Sequence, residues 1–236
     1  MKPATSLPFR DRADAGRRLG AALAKYRNHD CVILALPRGG VPVAAEVAGA
    51  LEAPLDVLLV RKIGAPFQPE LAIGAVVDGG VPIVVRNEDL IRASGTSESE
   101  FQGICARELK EIERRRQSYL KGRQPLDPGG RIAIVIDDGV ATGSTVLAAL
   151  KALRKRSPKK LVLAVPVGPE DTIAELSREA DETVCLATPE PFRAVGYFYE
   201  HFDQTEDAEV IALLERHRKP TTPPTLNSSH KEGARK

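Results

Sequence analysis

Residues 131–150, RIAIVIDDGVATGSTVLAAL, pass from apolar to acidic to small and hydroxylic and back to apolar within twenty positions. The β-branched run from Ile132 to Ile136 suits a strand covered on both faces. Val146 to Leu153 has the spacing of a helix packed on that sheet. Between them, Gly139 and Gly143 permit turns closed to other residues, and Thr142, Ser144 and Thr145 place hydroxyls where the helix begins. A helix N-terminus attracts anions through its free amides and its dipole. The loop therefore sets a carboxylate pair, Asp137 and Asp138, beside an anion cradle.

Three other readings of this loop account for less. A nucleoside-triphosphate P-loop requires G-x-x-x-x-G-K-[ST]; here Gly139 and Gly143 stand too close and Ser144 holds the lysine position. A dinucleotide fingerprint requires G-x-G-x-x-G, which is absent, and paired acids would repel a pyrophosphate at that point. A simple capping turn explains one Asp and one Gly, but not two adjacent acids followed by three hydroxyls.

Outward from the loop, apolar strand-like runs alternate with helical patterns. DRADAGRRLGAALAKY (11–26) reads as a helix that Asp11 can cap, CVILAL (31–36) as a buried strand, and VPVAAEVAGAL (41–51) as a helix. LDVLLV (55–60) predicts a second strand, and VPIVV (81–85) a short one. The Gly- and Pro-rich segment 61–80 between them reads as a long mobile loop with short strands. Residues 97–120 predict a long helix whose opposite charges, three and four apart, suit a solvated face. A connector (121–130) leads into the quoted stretch. The strand KKLVLAVPV (159–167), a helix near 169–180 and the strand ETVCLA (182–187) follow. This alternation predicts an α/β fold, a mostly parallel twisted sheet flanked by helices, and no internal repeat is evident. Ligands bind at the carboxyl ends of strands on such sheets. The PRGG, RK and DDGVATGST segments all fall there.

The bulk numbers set wide limits. The 236 residues suffice for one generous α/β domain or two small ones. With 42% hydrophobic and 28% charged residues the composition is ordinary for a soluble protein, and a net charge of +2 does not point to nucleic acid or a membrane surface. No run reaches the ~18 apolar residues of a spanning helix, the first residues lack the apolar core of a signal peptide, and cytoplasm is the expected location. Cys31, Cys105 and Cys185 are odd in number and far apart, so free thiols are expected rather than a disulfide or a metal site. Residues 218–236 are rich in Pro, Ser, Thr and charge and are expected to be disordered.

VIDDGVATGST resembles the phosphoribosyl-pyrophosphate (PRPP) motif of type I phosphoribosyltransferases, with apolar residues, two acids and a T-G-x-T/S ending in order. PRGG is similar to that family's pyrophosphate loop, and VRK before a Gly-rich stretch resembles the entry to its flexible catalytic loop. The likeness runs from about residue 9 to 217 and is greatest to bacterial phosphoribosyltransferase-like proteins of poorly defined substrate. It implies one domain over 1–217, with a flexible loop at about 61–80 and a small hood mainly at 188–217. The helix at 97–120 is foreign to the minimal fold and is expected to shape a partner surface or part of the lid.

The resemblance also implies roles. Ala141, Thr142, Gly143, Ser144 and Thr145 would hold the 5′-phosphate of PRPP. Asp137 and Asp138 would receive the ribose hydroxyls and help orient Mg2+ indirectly, through those hydroxyls or water. Arg38, Gly39 and Gly40 would hold the leaving pyrophosphate, with Arg61 and Lys62 adding charge; Arg38 and Lys62 join the acid pair as catalytic candidates. A cis peptide is expected between Pro37 and Arg38. Glu70 is the best single guess for an acid or base in the loop. Ala141 stands where enzymes for 6-oxopurines usually carry an Asp, and the stretch is more like adenine and uracil enzymes. Base recognition would fall to the hood, where residues 188–202 hold five of the ten Phe and Tyr residues; Phe192, Tyr197 and Phe198 are candidates for stacking on a base.

These features predict a magnesium-dependent transferase taking PRPP and a nucleobase-like acceptor, purine or pyrimidine. A PRPP- or nucleotide-sensing regulator of the same fold is the alternative, and base-independent hydrolysis a third. A homodimer stays open, as do the acceptor and the pathway.

Overall fold

The computed structural model describes residues 7–78 and 81–217. In chain order the first elements are α1 (Arg12–Ala22), β1 (Cys31–Ala35), α2 (Gly40–Leu51) and β2 (Leu55–Val57). A hairpin of β3 (Val60–Ala65) and β4 (Gln68–Val77) leads to β5 (Ile83–Arg86), α3 (Glu88–Ala93) and α4 (Glu98–Leu120). Then come β6 (Ile132–Ile136), α5 (Ser144–Arg154), β7 (Lys160–Val167), α6 (Glu170–Leu176), β8 (Glu182–Ala187) and α7 (Asp207–Arg216).

Five strands form a parallel sheet in the order β2-β1-β6-β7-β8. Successive side chains of a strand face opposite ways, and the apolar runs feed two cores. Ile33, Ile134 and Val162 pack with Leu19 of α1, Val43 and Val47 of α2, and Val210 and Leu214 of α7. Val32, Leu34, Val135 and Leu163 pack with Val146, Leu150 and Leu153 of α5. The expected α/β architecture, with helices on both faces, is the observed one. Asp11 caps α1 by accepting from the Asp14 amide at 2.7 Å, as its sequence position suggested. All three cysteines are free thiols. No described helix is long and apolar enough to cross a membrane.

Two expectations need correction. The run 55–60 is not one strand: Leu58 donates to the Ala35 carbonyl at the sheet edge, and the chain then leaves to begin β3 in a second sheet. Segment 61–80, expected to carry only short strands, is mostly strand. Its described part is an antiparallel hairpin turning at Pro66 and Phe67, and β3, β4 and β5 form a three-stranded sheet. The glycine that suggested a loop sits at a register shift: a Cβ on Gly64 would lie 2.3 Å from the Pro69 carbonyl oxygen, so the strands close up only because it is absent.

The long charged helix α4 covers this second sheet. α4 starts with a capping box, Ser97 and Glu100 each satisfying the other's backbone amide. It buries Phe101, Cys105 and Ile112 with Ile63 and Ile73 of the hairpin, while Ala75 and Val77 pack towards α5. Its outer face carries Glu111–Arg114 and Glu111–Arg115 pairs, the solvated pattern expected. The tail expected to be disordered lies outside the described residues.

Candidate active site

The site forms where β1 and β6 end side by side. These strands pair in parallel with Ala35 opposite Ile136, and the Leu36 amide donates to the Ile136 carbonyl at 2.9 Å. The loop after β1 holds PRGG and the loop after β6 holds the acid pair, so register alone brings the two together.

Asp137 and Asp138 leave the sheet directly after its buried end. Oδ1 of Asp137 accepts from the Asp138 amide at 2.9 Å. The Asp138 side chain is 14% exposed and meets Arg12 Nε at 2.7 Å. Burial and the neighbouring Asp138 charge hold the Asp137 carboxyl well above the usual carboxylate range. Burial also raises Asp138, against the pull of the Arg12 guanidinium. Two adjacent carboxylates shielded from water favour a partner that brings hydroxyl donors or a cation.

The cradle follows. Gly143 has φ +72°, the left-handed region, and caps α5; Ser144 and Thr145 form the first turn. A Cβ at Gly143 would lie 2.8 Å from Thr172 Cγ2, so space as well as dihedral selects glycine. Thr172 Oγ1 donates to the Ala141 carbonyl at 3.1 Å, and Thr142 Oγ1 lies 3.4 Å from Ser144 Oγ. The opening amides of α5 have no partner within the helix, and Thr142, Ser144 and Thr145 bring hydroxyls to its start.

In the PRGG loop the peptide between Pro37 and Arg38 is cis, as the resemblance implied. The glycines have a reason that the sequence did not suggest. A Cβ on Gly39 would fall 2.0 Å from Asp138 Oδ2, and one on Gly40 would fall 2.8 Å from the Ile136 carbonyl oxygen. The two loops touch, and only glycine fits between them. The Gly40 amide donates to the Leu36 carbonyl at 3.1 Å, which closes the loop on its own strand.

The basic residues divide. Arg38 lies 3.7 Å from Asp207 in the first turn of α7, and Tyr119 donates to the same carboxylate oxygen at 2.7 Å. Burial, then that hydrogen bond, push the Tyr119 hydroxyl up to about 12. Arg61 pairs with Glu108 of α4 at 2.8 Å and lines a small cleft of about 30 Å3 with Pro37, Thr145 and Arg115. Lys62, its neighbour in β3, lines a separate groove of about 560 Å3 with Ser144 and Lys151. Arg61 and Lys62 therefore do not address one point, because successive strand residues face opposite sides. Glu70 is exposed near the hairpin turn, and Phe67 at that turn is 91% exposed.

The hood aromatics also divide. Phe192 and Phe198 stack on each other at 5.0 Å and pack on a small core with Phe9, Val167 and Tyr199. Tyr197 is 69% exposed. Val195 lies over Gly139, where a Cβ would meet it at 2.5 Å. Tyr199, buried, donates its hydroxyl to the Asp138 carbonyl. Arg12, Arg115, Tyr199 and Asp207 are the site residues that the sequence reading passed over. Each reaches the site from an element distant in the chain, and none belongs to a motif.

Among the described residues no group of three or more His, Cys, Asp or Glu side chains could hold a metal. The acid pair fits instead a cation that arrives with an oxygen-rich ligand and keeps most of its own waters.

A carboxylate pair, a glycine-capped helix start and a basic loop meet at one edge of a parallel sheet, at the carboxyl ends of its strands, which defines an α/β protein with its candidate site there. Residues 11–197 match the phosphoribosyl transferase domain family, and the chain belongs to that family. It is 49% identical over 208 residues to Mycobacterium tuberculosis proteins of two strains named "Putative phosphoribosyl transferase". That match covers 88% of this chain and 46% of theirs, so the chain spans about half the length of these curated relatives. The crystal structure of TT1426 from Thermus thermophilus is similar at 39% identity and a TM-score of 0.80, covering 90% of this chain and all of the other (100%).

Proposed function

We propose that the protein is a magnesium-dependent phosphoribosyltransferase that moves the 5-phosphoribosyl group of PRPP to a ring nitrogen of a purine, pyrimidine or similar acceptor. The observation that carries this reading is the contact between the two loops. Asp138 and Gly39 touch, so a ligand spanning both would place its sugar on the carboxylates and its leaving group on the PRGG side.

In this reading Thr142, Ser144, Thr145 and the opening amides of α5 bind the 5′-phosphate, with Ala141 and Gly143 shaping the turn. Asp137 and Asp138 accept hydrogen bonds from the ribose hydroxyls, which relieves two crowded carboxylates. As the bond from C1′ to the pyrophosphate oxygen breaks, its electron pair leaves with the pyrophosphate. The carboxylates favour the positive charge that develops on the sugar. Arg38, the Gly39 amide, Arg61 and Arg115 receive the leaving group. The acceptor nitrogen then bonds to C1′, and its proton passes to the departing pyrophosphate or to water. Magnesium, when bound, would neutralise part of the pyrophosphate charge; Asp137 and Asp138 would hold it indirectly. Lys62 lines the same groove as Ser144 and would reach the sugar-phosphate side rather than the pyrophosphate. On the acceptor side, Tyr197 offers the accessible ring, whereas Phe192 and Phe198 support the hood.

The test is turnover. PRPP with Mg2+ and a panel of bases should give pyrophosphate release that depends on one base. PRPP binding with no turnover for any base would favour the sensor, and base-independent release a hydrolase.

A further inference from the structure

One guanidinium joins three parts of the molecule that the sequence keeps far apart. Arg12, in the first turn of α1, donates from Nε to Asp138 Oδ2 at 2.7 Å and from Nη1 to the Asp203 carbonyl at 2.6 Å. Its flat face lies 3.9 Å over the ring of Phe202. The Arg12 side chain is only 12% exposed, so these contacts are shielded from water. Phe202 stacks in turn on Tyr199 at 5.0 Å, and Tyr199 holds the backbone carbonyl of the same Asp138. The segment before α1 also pairs with the hood: the Phe9 amide donates to the Phe198 carbonyl, and the Glu200 and His201 amides donate to Phe9 and Arg10.

We propose that Arg12 is a positioning residue that fixes the hood to the sugar-binding carboxylate, making hood placement and PRPP binding a single event. This inference rests on the reading of Asp138 as a ribose ligand. Arg12 engages Oδ2, so the guanidinium sets the angle of the carboxylate that a ribose hydroxyl would meet. The same group holds Asp203 and Phe202 through a planar fork and a planar face, geometry that an ammonium cannot reproduce. Any ligand that orders Asp138 therefore orders residues 199–203 as well, and the coupling is reciprocal.

The experiment compares wild type, Arg12→Gln and Arg12→Lys in two measurements: calorimetric titration with PRPP and Mg2+, and amide hydrogen exchange over residues 195–203 with and without PRPP. Wild type should bind PRPP and slow exchange in the hood. Arg12→Gln should bind PRPP about tenfold more weakly, the loss expected for a charge-assisted contact, with no ligand-dependent slowing. Arg12→Lys should recover part of the affinity but not the slowing. Should Arg12→Gln not fold, Arg12→Lys carries the test, since loss of slowing with PRPP still bound is the signature of uncoupling. A merely structural arginine would give faster hood exchange at unchanged PRPP affinity, and that overturns the inference alone. Wild type that fails to bind PRPP would overturn the proposed function, and this inference with it.

Discussion

The hydroxyl of Tyr199 donates to the backbone carbonyl of Asp138, across 61 positions of sequence, so the hood grips the acid pair by its main chain. Burial and the nearby Asp138 charge raise the tyrosine pKa, so the hydroxyl stays protonated and keeps donating at neutral pH. Tyr199→Phe leaves the carbonyl without this partner. The expected cost is about 1 kcal/mol in urea denaturation. The loss should be the same at pH 6 and pH 8; a loss confined to one of them would mean that a titrating group mediates it.

Asp137→Asn together with Asp138→Asn should abolish transfer while circular dichroism stays native. Both carboxylates follow directly on the buried strand β6 and are themselves only partly buried, so amides of the same shape leave the strand packing alone. Wild-type turnover in this variant would remove the acid pair from the mechanism.

Stability should move the other way for Asp137→Asn alone. A carboxyl whose pKa is higher folded than unfolded binds more protons when folded. Its stabilising contribution is present below the unfolded value of 3.8 and is lost as pH rises through the folded one. The ligand-free wild type should therefore fall behind Asp137→Asn between acid and neutral pH. Each kcal/mol relieved would raise the melting temperature by about 2–4 °C. Melting curves that keep a constant offset from pH 4 to pH 7 would contradict the crowding described for the pair.

Gly143→Val should lose PRPP binding. The backbone is in the left-handed region, which a β-branched residue strongly resists, and the new side chain would run into Thr172. Unchanged affinity in calorimetry would place the phosphate cradle elsewhere.

Gly39→Ala probes the contact between the loops. Its methyl would collide with Asp138 Oδ2, so the variant should lose both stability and PRPP affinity. In an Asp138→Ala background the same change should cost less, and the difference between the two costs measures the contact. Equal costs would show that the loops are independent.

The main sheet was legible because its strands are apolar runs bounded by Gly, Pro or charge. The hairpin was not. Gly64, Pro66 and Pro69 carry the usual marks of a loop, yet here they form a register shift and a tight turn within paired strands. The acid pair and the cradle could be read because their chemistry is concentrated in nine consecutive residues, 137–145. Arg12 could not be read, since its partner is 126 positions away and it sits in an amphipathic helix where arginine is ordinary. PRGG was read as a ligand-type loop, and the close neighbours of its glycines, Asp138 and the Ile136 carbonyl, were not legible because they lie about 100 positions away in the chain.

The parallel pairing of β1 and β6, with Ala35 level with Ile136, acts as a gauge block. Hydrogen-bonded strands stand about 4.8 Å apart whatever their side chains, so the offset between the two loops is set by main-chain geometry that no point substitution resets. Under the proposed function this machines the distance from sugar to leaving group into the scaffold. The hood has no such constraint: it is held by rings, one guanidinium and a few amides, all open to replacement. A lineage can thus retool the acceptor end many times while the donor end keeps its dimensions.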